Sequence, residues 1–316
     1  MKRRTWIAET LEDTGAKAQY DGHVKRILGD RQVLARILKG AVAEYKEYSP
    51  EEIEAWIEPG IEIANTSLRP GEKENKPLLI TGDNTESKVP GEGTVTYDIR
   101  FRAYVPRRKR AETIKLLLNV EAQKKFYQKY RIVTRGIFYG ARMLSEQLDR
   151  EFTDAEYDDL KKVCSIWICM NAPAHIGNAM TEYRISRRNI LGRIPEKKAS
   201  YDKLSVVIIC LNEKDEKNPK GGLHSFLNTL LSPSLSVVEK EEILARDYGI
   251  EMEQEMGEEL RQMCNLSEAI EEKGIEKGIN LAKKVLHYVR EGRNDEEIAE
   301  LCGITIEQVR EITNEI

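Results

Sequence analysis

The sequence predicts an α/β or α+β protein. From residue 20 to residue 211, segments of helical and of strand periodicity follow one another in the order helix, strands, helix, strand, strand. The last two strand segments, 164–170 and 204–211, are continuously apolar, which is typical of central strands buried on both faces. This order predicts one mixed domain that ends near residue 235.

Each remaining element of this domain follows from its own pattern. Residues 20–48 carry apolar side chains at helical spacing, with a break expected at Gly29 and Asp30. Segments 96–101 and 115–124 alternate between apolar and polar side chains, as strands do. The other expected features are a short strand at 77–81, a basic loop at 107–110 and a long helix at about 126–149.

After Pro233 the composition changes, and residues 236–316 predict a helical tail rich in Glu, Lys and Ile. Its last part, 295–310, reads as two short helices around a glycine turn, the second capped by Thr305, as in a helix-turn-helix. The second helix is acidic, which disfavours DNA reading and favours packing or protein interaction.

An apolar stripe on the tail suggests a contact surface. Its members recur at helical spacing and are Ile275, Ile279, Ala282 and Leu286. Glycines at 274 and 278 would allow another helix to approach closely. The stripe either forms a homodimer or packs back on the first domain.

The bulk composition limits the classes of function. Of the 316 residues 33% are charged, and the net charge is −4, so any nucleic-acid binding must come from local basic patches. No apolar window reaches the roughly 18 residues that a membrane helix needs. The N-terminal segment lacks a signal-peptide core, and the five cysteines show no C-x-x-C pairing. We therefore expect a cytoplasmic protein without a membrane partner, a zinc site or disulfides.

The polar end of segment 115–124 carries the candidate chemistry. Glu121 and Gln123 fall on one side of the strand, about 6.6 Å apart. Asp98 on the neighbouring strand is within reach of them, and two converging acids suit a hard cation such as Mg²⁺. Asp98 also shares a face with Arg100 and Arg102, which equally describes a solvated strand, so both interpretations stay open at this point.

These segments together resemble the recombination-promoting nuclease (Rpn) and transposase-like branch of the PD-(D/E)XK nuclease superfamily. The segments that carry the resemblance are Tyr20-Asp21-Gly22-His23-Val24-Lys25, Thr96-Tyr97-Asp98-Ile99-Arg100-Phe101, Asn119-Val120-Glu121-Ala122-Gln123, Thr134-Arg135-Gly136-Ile137-Phe138-Tyr139 and the Gly-Ile-Glu-Lys-Gly-Ile tail. The resemblance implies a restriction-endonuclease-like α-β-β-β-α-β core with a helical C-terminal extension. It also implies a Mg²⁺-dependent endodeoxyribonuclease, with Mn²⁺ as an alternative ion, that cuts phosphodiester bonds of DNA in recombination, mobile-element or defence biology.

The resemblance assigns roles to particular residues. Asp98 and Glu121 match the metal-binding acids, and the peptide carbonyl of Ala122 also faces the metal in relatives. Asp21 matches an acid on the first helix that completes the site, with Glu86 as its competitor. Gln123 stands where the superfamily usually has lysine. Glutamine does not titrate in the relevant range, so the metal would carry most of the activation of water while Gln123 orients it.

The helix at 126–149 is a candidate phosphate-binding element. One of its faces carries Arg131, Arg135, Tyr139 and Arg142. The opposite face, which we expect to be buried, carries Ile137, Ala141, Leu144 and Leu148. The cationic face is either solvated or turned to DNA, where a guanidinium fork suits a phosphate. The competing function for the whole chain is a non-catalytic regulatory or scaffold protein on a degenerate nuclease fold.

Overall fold

A computed structural model describes residues 6–64, 86–89, 93–106, 113–123, 126–127, 129–153, 156–215, 221–250 and 252–314. The expected strand at 77–81 and the basic loop at 107–110 lie outside these residues. The α-helices are α1 (Trp6–Leu28), α2 (Arg31–Ala41), α3 (Pro50–Trp56), α4 (Ile132–Ser145), α5 (Lys198–Tyr201), α6 (Leu223–Leu231), α7 (Val237–Tyr248), α8 (Gln254–Arg290), α9 (Asp295–Cys302) and α10 (Ile306–Asn314). The strands are β1 (Glu62–Ile63), β2 (Glu86–Val89), β3 (Gly93–Thr96), β4 (Ile99–Pro106), β5 (Thr113–Gln123), β6 (Lys162–Cys169), β7 (Ala179–Arg184) and β8 (Leu204–Cys210).

The mixed α/β class is confirmed by a six-stranded open sheet in the order β1-β4-β5-β6-β8-β7. Strands β5, β6 and β8 are parallel to one another, whereas β1, β4 and β7 pair antiparallel with their neighbours. Strands β6 and β8 are buried along almost their whole length, as their continuous apolar sequence predicts. Helix α4 connects β5 to the parallel strand β6, as a crossover must.

The expected break between the first two helices is confirmed. Helix α1 ends at Leu28, and α2 begins after Asp30, whose carboxylate accepts hydrogen bonds from the N–H groups of Gln32 and Val33. This N-cap satisfies two donors that the first turn of a helix leaves unpaired. The α2 residues that follow bury an apolar face, including Leu34 and Leu38. No helix in the described residues is long and apolar enough to span a membrane.

The prediction of which face of the helix at 126–149 is buried is wrong. Helix α4 buries Gly136, Tyr139, Gly140, Arg142 and Met143. The residues expected inside are different: Ile137, Ala141 and Leu148 are exposed, and Leu144 is half-buried. The two glycines explain the outcome, because they let the helix backbone lie against β6 and β8. A Cβ atom added at Gly136 would lie only 2.7 Å from Val206 Cγ1 and 3.0 Å from Trp167 Nε1.

The interpretation of Asp98, Arg100 and Arg102 as a solvated face is also wrong. Arg100 is 2% exposed and forms a buried ion pair with Glu146, which caps the end of α4. Arg102 pairs with Glu151 at 2.7 Å. The C-terminal end of α4 therefore covers this face of β4. Glu146 neutralises the buried Arg100 there, as a buried charge requires.

By its contacts the chain divides into two units. One comprises Ala18–Met263 and contains the six-stranded sheet; the other comprises Cys264–Ile316 with the residues before Ala18. Residues 236–263, which composition groups with the tail, thus belong to the unit of the sheet. In the second unit the predicted pair of short helices is present as α9 and α10, and Thr305 Oγ1 accepts the Gln308 N–H at 3.3 Å as an N-cap.

The close approach of α4 to the sheet can be tested with Gly136→Ala. We expect this change to lower the free energy of unfolding by about 1–3 kcal/mol, because the added methyl group overlaps Val206 and Trp167. Gly15→Ala in α1 is the matched control, since nothing lies within 4 Å of its Cβ position and alanine improves a helix interior by up to about 1 kcal/mol. Urea denaturation of the two variants measures both effects. Equal stability of the two variants would contradict the proposed packing.

Candidate active site

The candidate site begins where the pairing of β4 with β5 ends. The last pair in register at this end is Ile99 with Val120. Beyond it, the Asp98 N–H donates to Glu121 Oε1 at 3.0 Å, and the Ala122 N–H donates to Asp98 Oδ2 at 3.0 Å. Each acid thus accepts a backbone hydrogen bond from the other segment. The structure brings together the two acids that the sequence proposes as a pair.

Lys25 is a member of this cluster that the sequence analysis missed. Its Nζ lies 2.7 Å from Asp98 Oδ1, and the two side chains are only 12% and 17% exposed. Lys25 stands on α1, one helical turn after Asp21. That spacing places the two side chains on one face of the helix. This spacing is visible in the sequence, but only the fold shows that this face of α1 meets the start of β4.

A cleft of about 270 Å³ opens beside the acids. Its lining residues are Asp21, Val24, Lys25, Asp98, Ala122, Gln123 and Met170. Asp21 and Gln123, both named from the sequence, therefore share one cavity with Asp98. The competitor Glu86 begins β2, where its backbone pairs with Thr96, and its side chain is outside the described part of the structure.

Glu121 points to the face of the sheet that α4 covers. It is 1% exposed, and its neighbour in register on β6 is Trp167. A buried carboxylate needs hydrogen bonds or a positive charge nearby. The Asp98 N–H donates one hydrogen bond to Glu121, and the positive charge of Arg135 interacts favourably with the Glu121 carboxylate.

Arg135 is held by aromatic rings. Its guanidinium carbon lies 4.9 Å from the ring centroid of Tyr139, 5.2 Å from that of Tyr130 and 5.3 Å from that of Trp167. It donates hydrogen bonds to the hydroxyls of Tyr139, at 2.7 Å, and Tyr130. Burial acts to lower the pKa of Arg135, but the Tyr139 hydrogen bond and the negative charge of Glu121 hold that pKa above its usual value. The guanidinium is thus a fixed, permanent cation.

The other residues proposed to meet phosphate lie in different surroundings. Tyr139 is 8% exposed, its backbone carbonyl accepts the Tyr97 hydroxyl at 3.2 Å, and burial raises the pKa of its own hydroxyl. Through its hydroxyl and its ring, which both contact the guanidinium, Tyr139 holds Arg135 in place. Arg131 is exposed at the N-cap of α4. Trp167 is buried in the core and also forms one side of the Arg135 enclosure.

The donor set at this site is one of oxygen atoms. Carboxylates come from Asp98, Glu121 and Asp21, and an amide comes from Gln123. Among the described residues no group of three or more His, Cys, Asp or Glu side chains is arranged to hold a metal. The Lys25 ammonium nevertheless shows that a cation is accommodated at Asp98. Asp21, Asp98 and Gln123 line one cleft, which Glu121 adjoins without lining it. They offer the few oxygen donors that a hard ion takes before water completes its shell.

Comparisons with protein-family models, with curated proteins and with solved structures give no match to this chain.

Proposed function

We propose that this chain is a metal-dependent DNA endonuclease of the PD-(D/E)XK type, with a restriction-endonuclease-like core. The observation that carries the proposal is that Asp98 and Glu121 each accept a backbone hydrogen bond from the other's segment, at the end of the β4–β5 pair, with Asp98 in the lining of an open cleft. Further support comes from the element order, in which α1 precedes the antiparallel pair β4–β5, and α4 and the parallel strand β6 come after that pair.

The proposed mechanism assigns Asp98 and Glu121 the binding of Mg²⁺ or Mn²⁺, with Asp21 and the Ala122 carbonyl as additional oxygens. The bound ion supplies Lewis-acid chemistry, lowering the pKa of a coordinated water and neutralising charge on the phosphate. Gln123, which lines the same cleft, orients the attacking water by hydrogen bonding, because an amide both donates and accepts.

Substrate binding falls to the cations of α4 in this proposal. Arg135 is fixed next to Glu121, so it is placed to pair with a phosphate adjacent to the acids. Arg131, exposed at the start of the same helix, extends the positive surface along the backbone of the nucleic acid. DNA is the proposed substrate, in a recombination, mobile-element or defence setting, on the strength of the resemblance of the motifs.

A second candidate function is a scaffold that keeps the nuclease fold without activity. The observation in its favour is the ion pair between Lys25 and Asp98, which joins α1 to the sheet as a purely structural contact would. The two functions differ in what they require of Glu121. A scaffold needs Glu121 only as an acceptor for the Asp98 N–H, which an amide oxygen also provides, whereas a nuclease depends on its negative charge.

The proposed partner of the tail is a second copy of the chain. Ile275 and Ile279 on α8 are 57% and 49% exposed. A Cβ atom at Gly274 or Gly278 would meet nothing within 4 Å, so the helix surface there is open to close approach. Ala282 and Leu286, the other two members of the stripe, are half-buried. Exposed apolar surface marks a contact where it is contiguous. A dimer would also allow two sites to act on the two strands of a duplex.

The nuclease proposal predicts that Asp98→Asn and Glu121→Gln each reduce nicking of supercoiled plasmid by at least about a hundredfold. These isosteric changes keep an oxygen that can accept the backbone N–H groups, so both variants should fold. Cleavage by the wild type should stop on addition of EDTA. The exposed variant Asp158→Asn is the control. Full activity in either site variant would remove the nuclease assignment and leave the scaffold.

A separate prediction concerns Gln123. Gln123→Ala should lower the cleavage rate by about ten- to a hundredfold, because the water loses a group that orients it. Gln123→Lys should retain most of the activity, since it restores the residue usual in the superfamily that this chain resembles. Single-turnover cleavage at saturating Mg²⁺ measures both. If Gln123→Ala cleaves at the wild-type rate, Gln123 has no part in the chemistry.

The dimer can be tested by light scattering. The wild type should show about twice the chain mass of 36.3 kDa, and the double variant Ile275→Ser, Ile279→Ser should show the monomer mass. Val238→Ser removes an equally exposed aliphatic side chain from α7 and should leave the mass unchanged. A double variant that remains dimeric would exclude this stripe as the interface.

A further inference from the structure

We propose that Lys25 is the resident counter-ion of Asp98, that a divalent metal displaces it, and that the displaced ammonium then binds the substrate phosphate. This inference rests on the proposed function and assigns a role to a residue outside the acid-and-glutamine motif. It begins from the ion pair between Lys25 Nζ and Asp98 Oδ1, 2.7 Å apart and largely shielded from water.

The two oxygens of Asp98 have different partners. Oδ2 accepts the Ala122 N–H, a backbone bond that fixes the carboxylate in the fold. Oδ1 faces Lys25. A metal ion bound by Asp98 would therefore meet the ammonium at Oδ1, and the two cations would compete for one oxygen. Competition of this kind lowers the apparent affinity for the metal.

The two cations of the site differ in freedom. Arg135 is enclosed by three rings and bonded to two hydroxyls, so it stays where it is. Lys25 carries its charge on a flexible four-carbon stem that lines the cleft. Only Lys25 can give way to a metal without rearrangement of its surroundings. Asp21, one turn earlier on the same helix and in the same cleft, is the nearby acid toward which the ammonium can swing.

The displaced ammonium remains in the cleft in this proposal. A lysine in the cleft supplies a positive charge. Gln123, which stands on the strand, is neutral and supplies none. An ammonium binds phosphate as a point charge and needs no fixed fork geometry. Lys25 would thus serve in turn as the counter-ion of the metal-free acids and as a phosphate contact of the loaded site.

The test compares Mn²⁺ binding by the full-length wild type, Lys25→Met and Lys17→Met, measured by electron paramagnetic resonance of the free ion. Methionine keeps the apolar stem and removes the charge. We expect the dissociation constant of Lys25→Met to fall about five- to tenfold, since the competing ion pair is absent. Lys17 is an exposed lysine of the same helix, and Lys17→Met should bind as the wild type does. Single-turnover cleavage by Lys25→Met at saturating Mn²⁺ should fall at least about tenfold.

The outcomes separate this inference from the proposed nuclease. Mn²⁺ binding that is unchanged or weaker in Lys25→Met, or equally tightened in Lys17→Met, overturns the role of Lys25. Cleavage that is undiminished overturns its phosphate contact. A wild type that binds Mn²⁺ but never nicks DNA refutes the nuclease alone, and the binding comparison still decides the competition. Lys25→Gln, a polar replacement, repeats the comparison if Lys25→Met does not fold. Absence of Mn²⁺ binding in every form overturns both proposals.

Discussion

Two backbone N–H groups beyond the last rung of the β4–β5 ladder are satisfied by carboxylates, and the arrangement of the site depends on this exchange. The Asp98 N–H bonds to Glu121, and the Ala122 N–H bonds to Asp98. The Asp98 carbonyl in turn accepts the Ala64 N–H at 2.8 Å. Buried backbone donors need hydrogen-bond acceptors. The two carboxylates therefore complete the hydrogen bonding at this end of the sheet, in addition to being chemical groups. Their separation is set by the backbone itself.

Acids used in this way bring negative charge into a half-buried place, and the fold neutralises it from two sides. Lys25 approaches Asp98 from α1, and Arg135 lies on the α4 side near Glu121. A third cation, Arg100, is neutralised separately by Glu146. Each of the two acids therefore has a cation near it, supplied by a different helix.

The sequence predicts the parts of this arrangement that depend on local periodicity. Strand alternation identifies Glu121, and the apolar runs identify β6 and β8, because burial on both faces leaves a continuous pattern. It does not predict that α1 carries Lys25 to Asp98, since helix placement depends on distant contacts. The pattern of apolar side chains predicts the wrong buried face of α4, because glycines have no side chain and do not contribute to that pattern. Gly136 and Gly140, one turn apart, mark the side where the helix backbone lies directly on side chains of β6 and β8.

The cleft unites α1 with two strand ends that lie far from it along the chain, and this has a consequence for how the molecule folds. Contacts of such long sequence separation form late, because their loop-closure entropy is offset only when the surrounding sheet has assembled. In a partly folded chain the acids are apart, hydrated and unable to chelate an ion together. A metal that binds the pair would therefore recognise the native state alone and add its binding free energy to that state. In the proposed nuclease, the capacity to hydrolyse DNA would then arise in one step with the completed fold.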